Sequence, residues 1–155
     1  MTREATDLWR YDLWANKLWL DTLLKFPEPG RPDEVMTHIL FAQWIWLERC
    51  NNAFDLGLTL PAKPEAPSVT LAEELTGHWL SILDKVPLDG VLEYTSMAGD
   101  KVSIRFSDVI RHIPNHGTYH RGHLRGLAEA QLVTDYPETD FSRWAVQAHA
   151  AAKSQ

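Results

Sequence analysis

The sequence predicts an all-α protein of four long helices joined by one irregular crossover and one short β-hairpin. Three observations predict it. Apolar residues recur at helical spacing over four long segments, so that each segment has one face to bury. Residues 53–69 carry Gly57, Pro61, Pro64 and Pro67, too many breakers for a helix and too long a stretch for a tight turn. Finally, VLEYTS (91–96) and KVSIRF (101–106) alternate in polarity around MAGD, as paired strands do.

The first helix is expected from about Thr6 to Lys25, with Leu8, Tyr11, Ala15, Leu18 and Thr22 tracing its apolar stripe. Three prolines and a glycine in FPEPGRP (26–32) end it. The second opens near Pro32 and runs to about Asn52; proline in the first turn, with Asp33 and Glu34, suits a helix N-terminus. Beyond the crossover, Thr70-Leu-Ala-Glu73 has the capping-box pattern and predicts a third helix ending near Lys85. Ser107 and Asp108 open the fourth, which continues to about Gln131, with Pro114 expected to bend or restart it. A polar stretch, TDYPETD, precedes a helical tail from about Phe141 to Ala152.

The 155 residues fit one domain, 1–155, and neither flank of the crossover would form a complete domain alone. With 45% hydrophobic residues the chain can bury a real core. No apolar run approaches the roughly 20 residues that span a bilayer. The opening MTREATDLWR places polar and charged residues before any apolar stretch, unlike a secretory signal, so a cytoplasmic location is expected. A net charge of −6 disfavours nucleic acid as main partner, since phosphate binding calls for a basic surplus. The single cysteine, Cys50, allows neither a disulfide nor a thiolate zinc cluster within one chain and reads as a buried, inert thiol.

Chemistry is signalled by PNHGTYHRGHLRG (114–126). It holds His116, His120 and His123, with His112 just upstream, four of the chain's seven histidines within twelve residues. On a helical wheel with His116 at zero, Val109, Ile113, Leu124 and Leu127 fall at about 20–80°, with the apolar face centred at roughly 60–70°. His120 lies inside that face at about 40°, and His116 at its edge; His112 and His123 fall outside at about −40° and −20°. Two imidazoles at i and i+4 can reach one ion at about 2.0–2.1 Å. The zinc-protease pattern is absent, because Gly117 stands where its glutamate would be. His38 is the best third ligand, since on the second helix it shares an arc with Val35, Ala42, Ile45 and Trp46. Three buried neutral rings without partners would cost several kcal/mol, whereas a shared cation satisfies them together. Imidazoles without a close carboxylate suit zinc, nickel, iron or copper rather than magnesium or calcium, and three protein ligands leave one position open.

These residues resemble the DinB family, helical-bundle proteins grouped with thiol-dependent transferases. Tyr11-Asp12-Leu13-Trp14-Ala15-Asn16 is similar to the family's YNxWAN opening, with Asp12 for the usual asparagine. His38-Ile39-Leu40 with Trp46 and Arg49 resembles its second-helix pattern, and Tyr94 to Gly99 its hairpin. The stretch Asn115 to Gly122 is close to its most specific motif, with His123 where glutamine is common, and Pro137 to Asp140 fits the region that follows. The resemblance implies a four-helix bundle with a long crossover, commonly a homodimer, binding one divalent transition metal, zinc or nickel foremost. The ligand positions it implies are His38, His116 and His120, the three chosen from helix geometry. It further implies activation of a low-molecular-weight thiol such as bacillithiol, mycothiol or glutathione for transfer to an electrophilic small molecule. A hydrolase that activates water at the metal, or a non-catalytic metal-stabilised bundle that binds a small molecule, would use the same ligands.

Other residues divide as follows. Arg121 and Arg125 point at about 140° and 180°, away from the metal face, and read as structural, paired with acids or helix carbonyls. Arg49 lies about 20° from His38 and either anchors an internal ion pair or receives an anionic substrate group. His112 and His123 either hydrogen-bond to ligands or are polar edge residues. No catalytic residue beyond the ligands is identifiable.

Overall fold

The computed structural model describes residues 3–96 and 98–153. It is mostly helical, in the order α1 (Arg3–Leu23), α2 (Gly30–Ala53), α3 (Val69–Ile82), β1 (Val91–Thr95), β2 (Lys101–Arg105), α4 (Phe106–Ala130) and α5 (Phe141–Lys153). The two strands pair antiparallel, Val91 opposite Arg105 and Thr95 opposite Lys101. Among the described residues no helix is long and apolar enough to cross a membrane. Met97, from the expected MAGD turn, lies outside the described residues. On either side of it the turn closes through Ser96 N–H donating to the Asp100 carbonyl at 2.8 Å, with Gly99 at a φ of 91° that favours glycine.

The helices pack because their buried stripes meet. α1 lies against α3 and α4, and α2 against α4 and α3. Trp9 and Trp79 stack at 4.7 Å between α1 and α3, both fully buried. Met36, Ile39, Leu40, Leu47 and Cys50 of α2 meet Ile113, Leu124 and Ala128 of α4 in the same core. The crossover is pinned back onto α2. Asn51 exchanges two hydrogen bonds with Leu58, and the Trp44 indole donates to the Pro61 carbonyl at 2.9 Å. That brings residues 63–67 beside the N-terminal half of α2.

Several local expectations are corrected. The cap of α3 is Ser68, whose hydroxyl accepts from Leu71 N–H at 3.1 Å; Thr70 lies inside the helix, which ends at Ile82 rather than near Lys85. α4 does not restart at Pro114 but runs on through it as one helix. Proline removes one N–H from the ladder, and polar side chains on its next turn bond back to the helix. The Asn115 amide donates to the Arg111 carbonyl at 2.9 Å and the Thr118 hydroxyl to that of Pro114 at 3.0 Å.

The buried face of α1 is rotated from the expected stripe. Tyr11, Ala15 and Thr22 are buried as expected, but Leu8 and Leu18 are only half-buried, whereas Trp9, Asp12, Asn16 and Trp19 are fully buried. A wheel weighted by apolar residues steers away from Asp12 and Asn16, so it misplaces the face.

Candidate metal centre

Where α2 crosses α4, the side chains of His38, His116 and His120 converge. One ligand nitrogen from each lies within 4.8 Å of the other two. Nε2 of His116 stands 3.1 Å from Nε2 of His38, and the His120 ring is 4.4 Å from that of His116 and 4.5 Å from that of His38. The pair on α4 is one turn apart, as the i, i+4 spacing requires. The site sits at the rim of the core rather than inside it: His38 is exposed, and His116 and His120 half-buried. This corrects the core-facing placement of His38. The buried arc of α2 runs from Leu40 through Ile39 and Trp46 to Ala42, leaving residue 38 just past its edge.

The donor set fits a transition metal. Ligands at about 2.0–2.1 Å in a tetrahedron stand roughly 3.3 Å apart, close to the His38–His116 separation, so small ring rotations complete the set. Imidazole must be neutral to ligate. Partial burial pushes His116 down to about 4, with His120, His38 and His112 adding like-charge repulsion, and His120 is lowered for the same kind of reason. No carboxylate belongs to the cluster, so the three histidines could hold a soft or borderline divalent ion in preference to magnesium or calcium.

Behind the ligands lies a polar network invisible to an apolar wheel. Asp12 of α1 is 0% exposed and Arg121 of α4 2%, joined at 2.7 Å. Asp12 also accepts from Gln43 of α2 at 2.7 Å and Asn16 at 3.1 Å, while Arg121 donates to Asn16 at 2.6 Å and Thr118 at 3.0 Å. Burial pushes the Asp12 carboxyl up, against the opposing pull of Arg121 and the hydrogen bonds. One carboxylate thus ties α1 to both ligand-bearing helices. Gly117 allows the close approach, since a Cβ there would meet Asp12 Oδ1 at 2.7 Å and Arg121 Nη1 at 2.8 Å. Arg121 is therefore structural, as expected, but buried rather than outward. Arg125 is outward and paired with Glu129 at 3.1 Å. The signal that could have found the network was Asp12 and Asn16 at i, i+4 between Trp9 and Trp19.

Around the centre, His112 and His123 are exposed, and neither hydrogen-bonds to a ligand histidine among the described residues. His112 instead packs its ring 5.5 Å from His116 and 5.6 Å from Trp46. Arg49 forms no ion pair with a described residue; its guanidinium lies over Tyr94 at 4.2 Å and Trp46 at 4.7 Å. The ion-pair expectation for Arg49 is corrected accordingly. Cys50 is fully buried, and burial pushes its thiol up to about 12, so it is inert as expected. A cavity of about 510 Å³ opens beside His38, between α2 and the crossover, lined by Thr37, Phe41, Lys63 and Pro67 with Asp33 and Glu34 at its edge. A second cavity, of about 450 Å³, is lined by Tyr11, Thr118, Arg121 and Thr139 and holds none of the three histidines.

Comparison with known proteins gives one informative relative. No protein-family model matches the chain, and no solved structure matches it. The chain is 26% identical to Protein DinB of Bacillus subtilis (strain 168), across an alignment covering 88% of this chain and 93% of that protein. The similarity thus extends over nearly the full length of both proteins.

Proposed function

We propose that this protein is a single-domain four-helix bundle that binds one divalent transition metal, zinc or nickel, through His38, His116 and His120. It activates a low-molecular-weight thiol for transfer to an electrophilic small molecule. The observation that carries this reading is the convergence of three imidazoles from two helices at a solvent-accessible rim. When bound, the ion would supply Lewis acidity, lowering the pKa of a thiol so that it reacts as thiolate near neutral pH.

The chain's own residues supply the rest. The three rings orient the ion, and the Asp12–Arg121 network fixes α2 and α4 relative to each other, so binding asks only small rotations of the rings. The protein has no nucleophilic thiol of its own to offer, because Cys50 is buried and its thiol strongly raised. The reacting thiol therefore comes from solution. Space for the second substrate lies beside His38, where Phe41 gives an apolar wall and Lys63 a cation held over that ring at 5.3 Å. A homodimer belongs to the same proposal. α5 buries none of its residues within one chain, and Leu24 and Val146 stand 93% and 71% exposed.

The test uses untagged protein, stripped and reloaded with zinc or nickel, incubated with a panel of thiols and an electrophile such as a bimane halide. Metal-dependent conjugate formation that His38→Ala abolishes is the expected result. Hydrolysis of simple esters without thiol consumption would assign the water-activating alternative. Metal binding without any turnover would leave a non-catalytic metal-stabilised bundle.

A further inference from the structure

A line of rings leads away from the three histidines along α2. From His116 the next ring is His112 at 5.5 Å, then Trp46 at 5.6 Å, then Tyr94 of β1 at 5.0 Å from Trp46. At its end the half-buried Arg49 guanidinium rests on Tyr94 and Trp46. Arg10, Arg31, Arg105, Arg121, Arg125 and Arg143 each face a carboxylate within 4 Å, whereas Arg49 and the exposed Arg111 face none, and half-buried Arg49 donates no hydrogen bond to a described residue. Stacking on rings fixes the plane of a guanidinium while leaving its N–H groups free. An orientated, unspent donor fork of this kind matches the two oxygens of a carboxylate.

We propose that Arg49, held by Trp46 and Tyr94, is a subsite for a carboxylate of the small molecule that reacts at the three-histidine centre. The proposal rests on the functional reading above and adds a substrate class to it. Arg49 lies eleven positions after His38 on α2, about 16 Å of helix rise, and because helical side chains lean toward the N-terminus the Arg49 stem reaches back toward the histidines. A molecule bridging them is on the order of 10 Å long, about three residues of extended peptide. The carboxylate belongs either to the thiol or to the electrophile, and acid–ester pairs distinguish the two.

The experiment measures calorimetric binding to the full chain, zinc-free and zinc-loaded. The probes are reduced glutathione and its diester for the thiol, and a chloronitrobenzoate and its methyl ester for the electrophile. The subsite predicts that at least one acid binds wild-type protein about tenfold to a hundredfold more tightly than its ester. Arg49→Met, which keeps the alkyl stem, removes that preference; Arg49→Lys restores only part of it, and both leave zinc affinity unchanged. The preference of wild-type protein for acid over ester requires no variant, so a misfolded Arg49→Met leaves the test intact. Equal binding of acid and ester in both pairs overturns the subsite, as does a preference that survives Arg49→Met. Failure of zinc to bind, with the acid preference intact and dependent on Arg49, overturns the metal reading and spares the subsite.

Discussion

Replacing Gly117 by alanine adds one methyl group, and its effect can be worked from the structure. The new Cβ would lie 2.7 Å from Asp12 Oδ1 and 2.8 Å from Arg121 Nη1, the two atoms that form the buried ion pair. Both are side-chain ends, but neither is free to swing, because each is held by further buried hydrogen bonds. Making room therefore stretches at least one charge-assisted hydrogen bond, a loss of about 1.5–3 kcal/mol each. Against that, alanine in a helix interior is favoured over glycine by about 1 kcal/mol. Gly122→Ala on the same helix is the control, since nothing lies within 4 Å of a Cβ at that exposed position. Helix propensity cancels between the two variants, leaving a gap of about 1.5–3 kcal/mol for one such bond. For a chain of this size that is about 3–12 °C in Tm, with Gly122→Ala the more stable. Thermal melts of both variants with metal removed provide the assay. Equal Tm values, or a more stable Gly117→Ala, would refute the account of why glycine stands between the two ligand histidines.

Two further predictions concern protonation and reactivity. Burial holds His116 neutral down to about 4 and lowers His112 and His120, while in the unfolded chain these rings protonate near 6.5. Below about 6.5 the unfolded state therefore binds more protons, so urea melts of metal-free protein should lose stability as pH falls from about 6.5 toward 4. A flat profile there would contradict the partial desolvation of these rings. Cys50 should resist a thiol-specific disulfide reagent in native protein and react fully in denaturant; rapid native labelling would contradict its burial in the core.

The clustering of His38, His116 and His120 was legible in the sequence because histidines at i and i+4 on an apolar helix face, with a third on another such face, leave few bland explanations. Their depth was not. The wheel of α4 weighs only apolar residues, yet the buried face includes Gly117 and Arg121, which turns its centre past His120 and leaves the ligands at the rim. Arg121 could be placed inside only by knowing that Asp12, more than a hundred residues earlier in the chain, faces it. The same holds for Arg49. Its inward arc was readable from α2, but its partners are a ring on its own helix and one on β1, and strand placement against α2 is a tertiary fact. Strand and helix boundaries came within a few residues, because Gly and Pro punctuate them. The α3 cap was displaced by two residues because Ser68 and Thr70 offer the same chemistry, and only the Leu71 contact decides between them.

The central claim is that one ion is gripped jointly by α2 and α4. Calorimetric titration of metal-free, untagged protein with zinc tests it most directly, run on wild-type protein and on His38→Ala, His116→Ala and His120→Ala. The account predicts one ion per chain and a loss of at least a hundredfold in affinity for each variant, including the one on α2. Wild-type affinity retained in His38→Ala would contradict it, because the ion would then be held by α4 alone.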